Sequence, residues 1–218
     1  MKRCSLITIV LLLVCFQTTS AQDIEDFLDR YSGNDAEAYL QPLADAAGAD
    51  FNSGWYRSAR IDRKGFRLYI GLVAQTAPIA DKHKTFSAVT PNYFTPQTSA
   101  EVSTIVGPAT STEIQGSNGT AYTFPGGVGL SSLPFAVPQL TIGNVFGTDA
   151  SFRFFAIDLG GDVGKVNVFG WGIRHSISQY FTDFPVDIAV GYYSTGFDIG
   201  DDLDAQASLI SIQASYRT

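Results

Sequence analysis

The chain has 218 residues, the size of a single domain, and 45% of them are hydrophobic, which excludes wholesale disorder. Charged residues reach only 16%, against a usual ~25%, while 21 glycines and 13% aromatics favour an all-β chain over a helical bundle. The net charge of −7 excludes a basic nucleic-acid-binding face.

Lys2 and Arg3 precede an apolar run, Leu6–Phe16, and small residues follow at Thr19-Ser20-Ala21. This predicts a secretory signal peptide over residues 1–21. The run is about half the ~20 residues that a membrane-spanning helix needs. Val14 stands before Cys15 where a lipoprotein signal wants a small residue. Both cysteines, Cys4 and Cys15, fall inside the signal, so the mature chain is expected to have no disulfide, thiolate metal site or catalytic Cys.

Residues 22–60 read as a periplasmic helical lead-in. Ile24, Phe27, Leu28 and Tyr31 recur at helical spacing, with Asp23, Glu25 and Asp26 in the first turn. A second helix is predicted over Asp35–Ala47, capped by Gly48 and kinked or divided by Pro42. Arg57, Arg60, Arg63, Lys64 and Arg67 follow. They read as solvated loop charge, or as contacts to anionic lipid head groups.

From residue 61 to 218 a β-region is expected. Phe66, Leu68, Ile70 and Leu72 alternate with Arg67, Tyr69, Gly71 and Val73. The same period of two recurs around Phe152–Phe155, Val168–Ile173, Val186–Tyr193 and Leu209–Ala214. Each run is about ten residues long, as a membrane-crossing strand requires. A transmembrane antiparallel β-barrel points the apolar face at lipid; a soluble sandwich hides it inside. Strand length and aromatics at Tyr69, Trp171, Tyr180, Phe181 and Tyr192, suited to a membrane-interface girdle, favour the barrel. About 20 residues per strand and connection gives roughly seven or eight strands after Phe66.

Residues Ala77 to Val145 hold seven of the nine prolines. Short strands near Phe86–Val89 and Glu101–Val106, joined by long loops, are expected there. Gly126-Gly127-Val128-Gly129 lacks the context of a nucleotide loop and predicts a tight backbone turn. An interdomain linker is the alternative for this stretch.

Chemistry-bearing clusters are few. His175-Ser176 with Asp183 resembles a hydrolase triad in composition, but neighbours on a strand point to opposite faces. His83 sits between Lys82 and Lys84 as part of a charged loop. Asp198, Asp201, Asp202 and Asp204 are weak candidates for a Ca²⁺ site, without the 12-residue loop and terminal Glu of a standard one; a polar hairpin turn is the alternative. Arg67 is expected to pair with Asp158 or Asp187 if it faces a lumen. No catalytic residue and no cofactor is predicted.

Three stretches carry a family resemblance. They are Tyr39-Leu40-Gln41-Pro42-Leu43 with Asn52-Ser53-Gly54-Trp55-Tyr56, then Pro138–Gly143 with Gly147-Thr148, and finally Val168–Gln179 with Phe184–Ala189. Together they resemble an uncharacterised family of Gram-negative outer-membrane β-barrel proteins. The resemblance implies outer-membrane localisation, contact with outer-membrane lipid and with the barrel-insertion machinery, and no established substrate. Family members continue with further strands and a terminal aromatic residue, whereas here Tyr216 is third from last, so a C-terminally truncated barrel is expected. The functions in view are passage of a small solute, a non-transporting structural or adhesive surface barrel, and a soluble secreted β-sandwich binding module.

Overall fold

The computed structural model describes residues 31, 35–56, 58–158, 165–181, 185–199 and 203–216. The signal peptide, Ile24–Leu28, Arg57, Asp183, Phe184, Asp201 and Asp202 lie outside them.

Helix α1 spans Asp35–Asn52 without a break. Two expectations are corrected here. Pro42 does not divide the helix. It is buried, and packing outweighs the one backbone bond it cannot make. Gly48 does not end the helix either. The chain turns at Ser53, whose N–H donates to the Asp50 carbonyl at 3.1 Å, and at Gly54, where φ is +70°.

Six long strands form one antiparallel sheet: β1 (Arg67–Pro78), β6 (Ser132–Val145), β7 (Thr148–Asp158), β8 (Lys165–Ser176), β9 (Val186–Ile199) and β10 (Leu203–Tyr216). Their order is β1-β6-β7-β8-β9-β10, and the sheet curls into a half-barrel. Among the described residues β1 and β10 are its edges. Between β1 and β6 lies an insertion built from two hairpins, β2 (Thr85–Val89) with β3 (Ser99–Ser103), and β4 (Thr112–Gln115) with β5 (Ala121–Phe124). The expected seven or eight strands become ten among the described residues: six long ones, and four short ones that cannot cross a bilayer and belong to the insertion.

The insertion packs on α1. Tyr31, Tyr39 and Ala46 share one buried core with Ala77, Ile79, Ala88, Val102, Ile105, Val106 and Phe124. The Ile105 N–H donates to the Tyr39 carbonyl at 3.0 Å, and the Tyr39 hydroxyl donates to the Gly126 carbonyl at 2.9 Å. A Cβ on Gly127 would stand 2.3 Å from the Thr104 carbonyl oxygen, so only glycine lets these backbones meet.

Alternation sorts the main sheet into two faces as the sequence predicts. The convex face carries Leu68, Ile70, Leu72, Phe152, Phe154, Phe169, Trp171, Ile173, Val190, Tyr192, Ile210 and Ile212, all exposed. The concave face carries Gln139, Asp149, Ser151, Arg153, Ser176, Asp187, Thr195, Ser211 and Gln213, all buried. This reverses the arrangement of a protein folded in water, where the exposed face of a sheet is the polar one.

Candidate functional site in the concave face

The concave face is filled by the chain's own lead-in. Helix α1 contacts both edge strands, β1 and β10, together with β6 and β9. At its end the Phe51 ring lies between Phe135 of β6, which it meets edge-on, and Phe197 of β9, to which it is tilted, with centroids 5.3 and 5.5 Å away. Beyond the helix, Trp55 lies on Tyr193 (5.1 Å between centroids), and Ala59 and Ile61 pack on Ala189. The wall makes room for these rings with glycine. A Cβ on Gly172 would stand 2.1 Å from the Tyr193 ring. Gly172→Ala is therefore expected to cost about 1–3 kcal/mol of stability, the usual penalty of overpacking, read as a lower denaturant midpoint.

Arg153 is the centre of this contact. It is 0% exposed. Its Nε donates to Gln139 Oε1 at 2.9 Å, Nη1 to the Phe51 carbonyl at 3.3 Å and Nη2 to the Ser53 carbonyl at 2.7 Å. The guanidinium lies 3.7 Å above the Trp55 ring. The Phe51 carbonyl also accepts from Trp55 Nε1 at 2.9 Å and from Thr195 Oγ1 at 3.3 Å. A cation thus sits against the Phe51 carbonyl in the last turn of α1 and the Ser53 carbonyl just past it, at the negative end of the helix dipole. Sequence reasoning placed Arg153 on the polar face but gave it no role. The signal was a lone Arg between Phe152 and Phe154.

A second concave pair is Arg174 with Asp149, 2.6 Å apart and largely buried. Arg174 also donates to Gln213 Oε1 and to the Ser58 carbonyl, joining β7, β8, β10 and the lead-in. Arg67, expected opposite Asp158 or Asp187, instead donates to Asn144 Oδ1 at 3.4 Å. Asp158 is at the far end of β7, and Asn144 lies beside Gly143, the register partner of Arg67.

The remaining predicted residues are dispersed. His175 and Ser176 face opposite sides of β8. His175 Nδ1 lies 2.8 Å from Thr148 Oγ1, and its Nε2 lies 2.8 Å from the Tyr180 hydroxyl. Ser176 is buried on the concave side, near Ser178. Asp198 and Asp204 are register partners on β9 and β10. Among the described residues no group of three or more His, Cys, Asp or Glu could hold a metal. His83 ends a short turn in which Lys84 pairs with Asp81 at 2.7 Å.

The five aromatics assigned to an interface occupy three different places. Tyr180 and Phe181 project from the rim after β8. Trp171 and Tyr192 are on the convex face near strand midpoints, 5.5 Å apart. Tyr69 is corrected to the concave side. It shares the parity of Gly71, Val73 and Gln75, and its ring covers Gly71.

Sequence reasoning also missed Asp50 and Gln75. Asp50 is 2% exposed and accepts the Ala77 backbone N–H. Its Oδ2 has no hydrogen-bond partner among the described residues, and neither has Gln75 Oε1. Burial pushes the Asp50 carboxyl above its usual range, opposed in part by the Ala77 N–H. A carboxyl whose pKa is raised on folding contributes fully below its unfolded pKa, and that contribution is lost as pH rises through the folded value. Asp50→Asn is therefore expected to raise the melting temperature at neutral pH by a few degrees and to lose its advantage in acid. Melting curves across pH check this.

No curated protein and no solved structure matches the chain. A family model described as a family of unknown function matches residues 1–216, and the chain belongs to that family, DUF6588.

Proposed function

We propose that the sheet is the wall of an outer-membrane β-barrel, with its convex face toward lipid, and that α1 with residues 53–56 and 58–61 plugs its interior. The activity proposed is passage of a small solute, gated by that plug. The observation that carries this reading is the inverted polarity of the sheet. Its exposed face is aliphatic and aromatic, Ile70 being 74% exposed, and its buried face holds Arg153, Asp149 and Gln139. Lipid is the solvent that stabilises such a face; water is not. The predicted signal peptide and the family resemblance support the outer membrane as the location. The soluble sandwich fits less well, because the small hairpins pack on α1 and leave the convex face open.

The filled concave face favours a second reading, a structural or adhesive barrel that conducts nothing. Planar-bilayer conductance of the purified chain separates the two. Channel events that increase when Arg153 is replaced support a gated passage. Silence from both proteins, with the protein inserted and folded, supports the structural barrel. Recovery in the aqueous phase without detergent overturns both.

A further inference from the structure

The two ends of the main sheet differ in charge. At one end β1 begins at Arg67, Phe146 turns between β6 and β7, and β10 finishes at Tyr216. The chain enters this end through Arg60, Asp62, Arg63 and Lys64, all exposed. Arg60 pairs with Asp62 at 3.2 Å, and Arg67 donates to the neutral amide of Asn144. Arg63 and Lys64 have no partner among the described residues. Together with Asp62 and Phe146 they line an open cleft of about 630 Å³. The other carboxylates described at this end, Asp149 and Asp187, are buried, Asp149 against Arg174. At the opposite end the strands carry Asp158, Asp198 and Asp204, with Lys165 as their one cation among the described residues. The insertion leaves the sheet there and brings both signs, Lys82 and Lys84 with Asp81, Glu101 and Glu113.

Strands of 11 to 14 residues separate the two ends, about 35–45 Å at 3.3 Å per residue. That is several Debye lengths at physiological salt, so each end acts on its own surroundings. The net charge of −7 repels anions from the molecule as a whole, and the end with Arg63 and Lys64 is where one is attracted locally. Arg63 offers a planar fork of donors suited to phosphate, and Lys64 a compact charge. The cations also border apolar surface. Phe66, Leu68 and Ile70 lead from them onto the convex face, and Phe146 stands exposed beside them. A free anion would use the cations and leave these side chains in water. An anion carrying hydrocarbon matches both, as a phospholipid does at the edge of a bilayer.

We propose that Arg63 and Lys64 bind the phosphate of an anionic phospholipid whose acyl chains lie along Leu68 and Ile70. The bound lipid fixes this end of the sheet in an anionic leaflet, while the carboxylates of the other end are repelled from such a surface. The inference rests on the membrane reading for the solvent of the convex face and adds the head group that its rim selects.

The test is native mass spectrometry of the purified full chain in a neutral detergent, titrated with dioleoylphosphatidylglycerol, with dioleoylphosphatidylcholine and inorganic phosphate as comparison ligands. Saturable retention of phosphatidylglycerol is expected, weaker retention of phosphatidylcholine, and no displacement of the lipid by equimolar phosphate. Replacing both cations, Arg63→Gln with Lys64→Gln, should weaken phosphatidylglycerol binding about thirtyfold, roughly fivefold for each cation near an anionic surface. Lys165→Gln, at the acidic end, should leave it unchanged. Both sites are exposed, and circular dichroism establishes that the variants are folded. Equal retention of the two lipids, displacement by phosphate, unchanged affinity in the double variant, or an equal loss in Lys165→Gln would overturn the proposal. The barrel reading fails by a different result, recovery of the chain in water without detergent, so the two failures are distinct.

Discussion

Arg153→Ala is expected to release the end of α1 and the residues after it from the concave face of the sheet. The substitution removes three hydrogen bonds from a charged donor, to Gln139 Oε1 and to the Phe51 and Ser53 carbonyls, and uncovers the Trp55 ring. Hydrogen bonds to charged groups contribute about 1.5–3 kcal/mol each, and a desolvated cation over an indole about 2. The guanidinium's own burial offsets much of that sum. A net loss on the order of 3 kcal/mol is expected, concentrated at the docking of α1 and of residues 53–56. The measurement is amide hydrogen exchange. Protection should fall in the lead-in and at the end of α1, while β7, β8 and β9 keep theirs. Arg153→Lys should rescue little, because a single ammonium cannot reach three acceptors held in a fork. Unchanged exchange in the lead-in would mean that Phe51 and Trp55 hold it on the sheet through ring packing alone.

The chemistry of that contact explains why it was not legible in the sequence. Arg153 and the Phe51 carbonyl are 102 positions apart, and Thr195 and the same carbonyl are 144 apart. The acceptors are backbone oxygens, which leave no mark in a sequence. Local periodicity does not reveal which helix end meets which strand. What periodicity does carry was recovered. The two faces of β1, β7, β8, β9 and β10 follow directly from alternation, because the side-chain period of a strand is two whatever the strand pairs with. Tyr69 shows the two kinds of inference in conflict. Its parity with Gly71 placed it on the concave side, while its aromatic character suggested a membrane interface, and parity prevailed.

The insertion was legible in part: the strand expected near Phe86–Val89 is β2 and the one expected at Glu101–Val106 overlaps β3, while the hairpin of β4 and β5 was not foreseen. Its strands are four or five residues long, so alternation has too few positions to register, and proline obscures their ends. The expected strand Glu101–Val106 lies two or three residues further along the chain than β3, Ser99–Ser103. Thr104 to Val106 turn away to pack on α1 instead. The helix was misread at Pro42 because a helix-breaking residue was weighed by propensity, while its position was decided by burial. Asp50 and Gln75 were overlooked because neither stands in a motif. They become notable only once α1 lies on β1.

The solvent of the convex face is decided by Phe154→Arg. Phe154 lies near the middle of β7, 64% exposed, and is the register partner of Phe169 on β8. A lipid-facing Arg at the bilayer midplane costs a barrel about 2–4 kcal/mol, and the cost falls toward the interfaces. At an exposed position in water the same change lies within about 0.5 kcal/mol of neutral and improves solubility. The two readings thus give clearly different expectations for one substitution that touches nothing on the concave face. In reconstituted bilayers, Phe154→Arg should lower unfolding stability by that 2–4 kcal/mol. The same exchange at Phe146, 83% exposed in the turn between β6 and β7, should cost much less, because an Arg at the rim reaches the head groups. A depth profile of this kind has no counterpart in an aqueous protein. Equal, near-zero effects at both positions would place the convex face in water and leave the apolar strands to be covered by another protein surface.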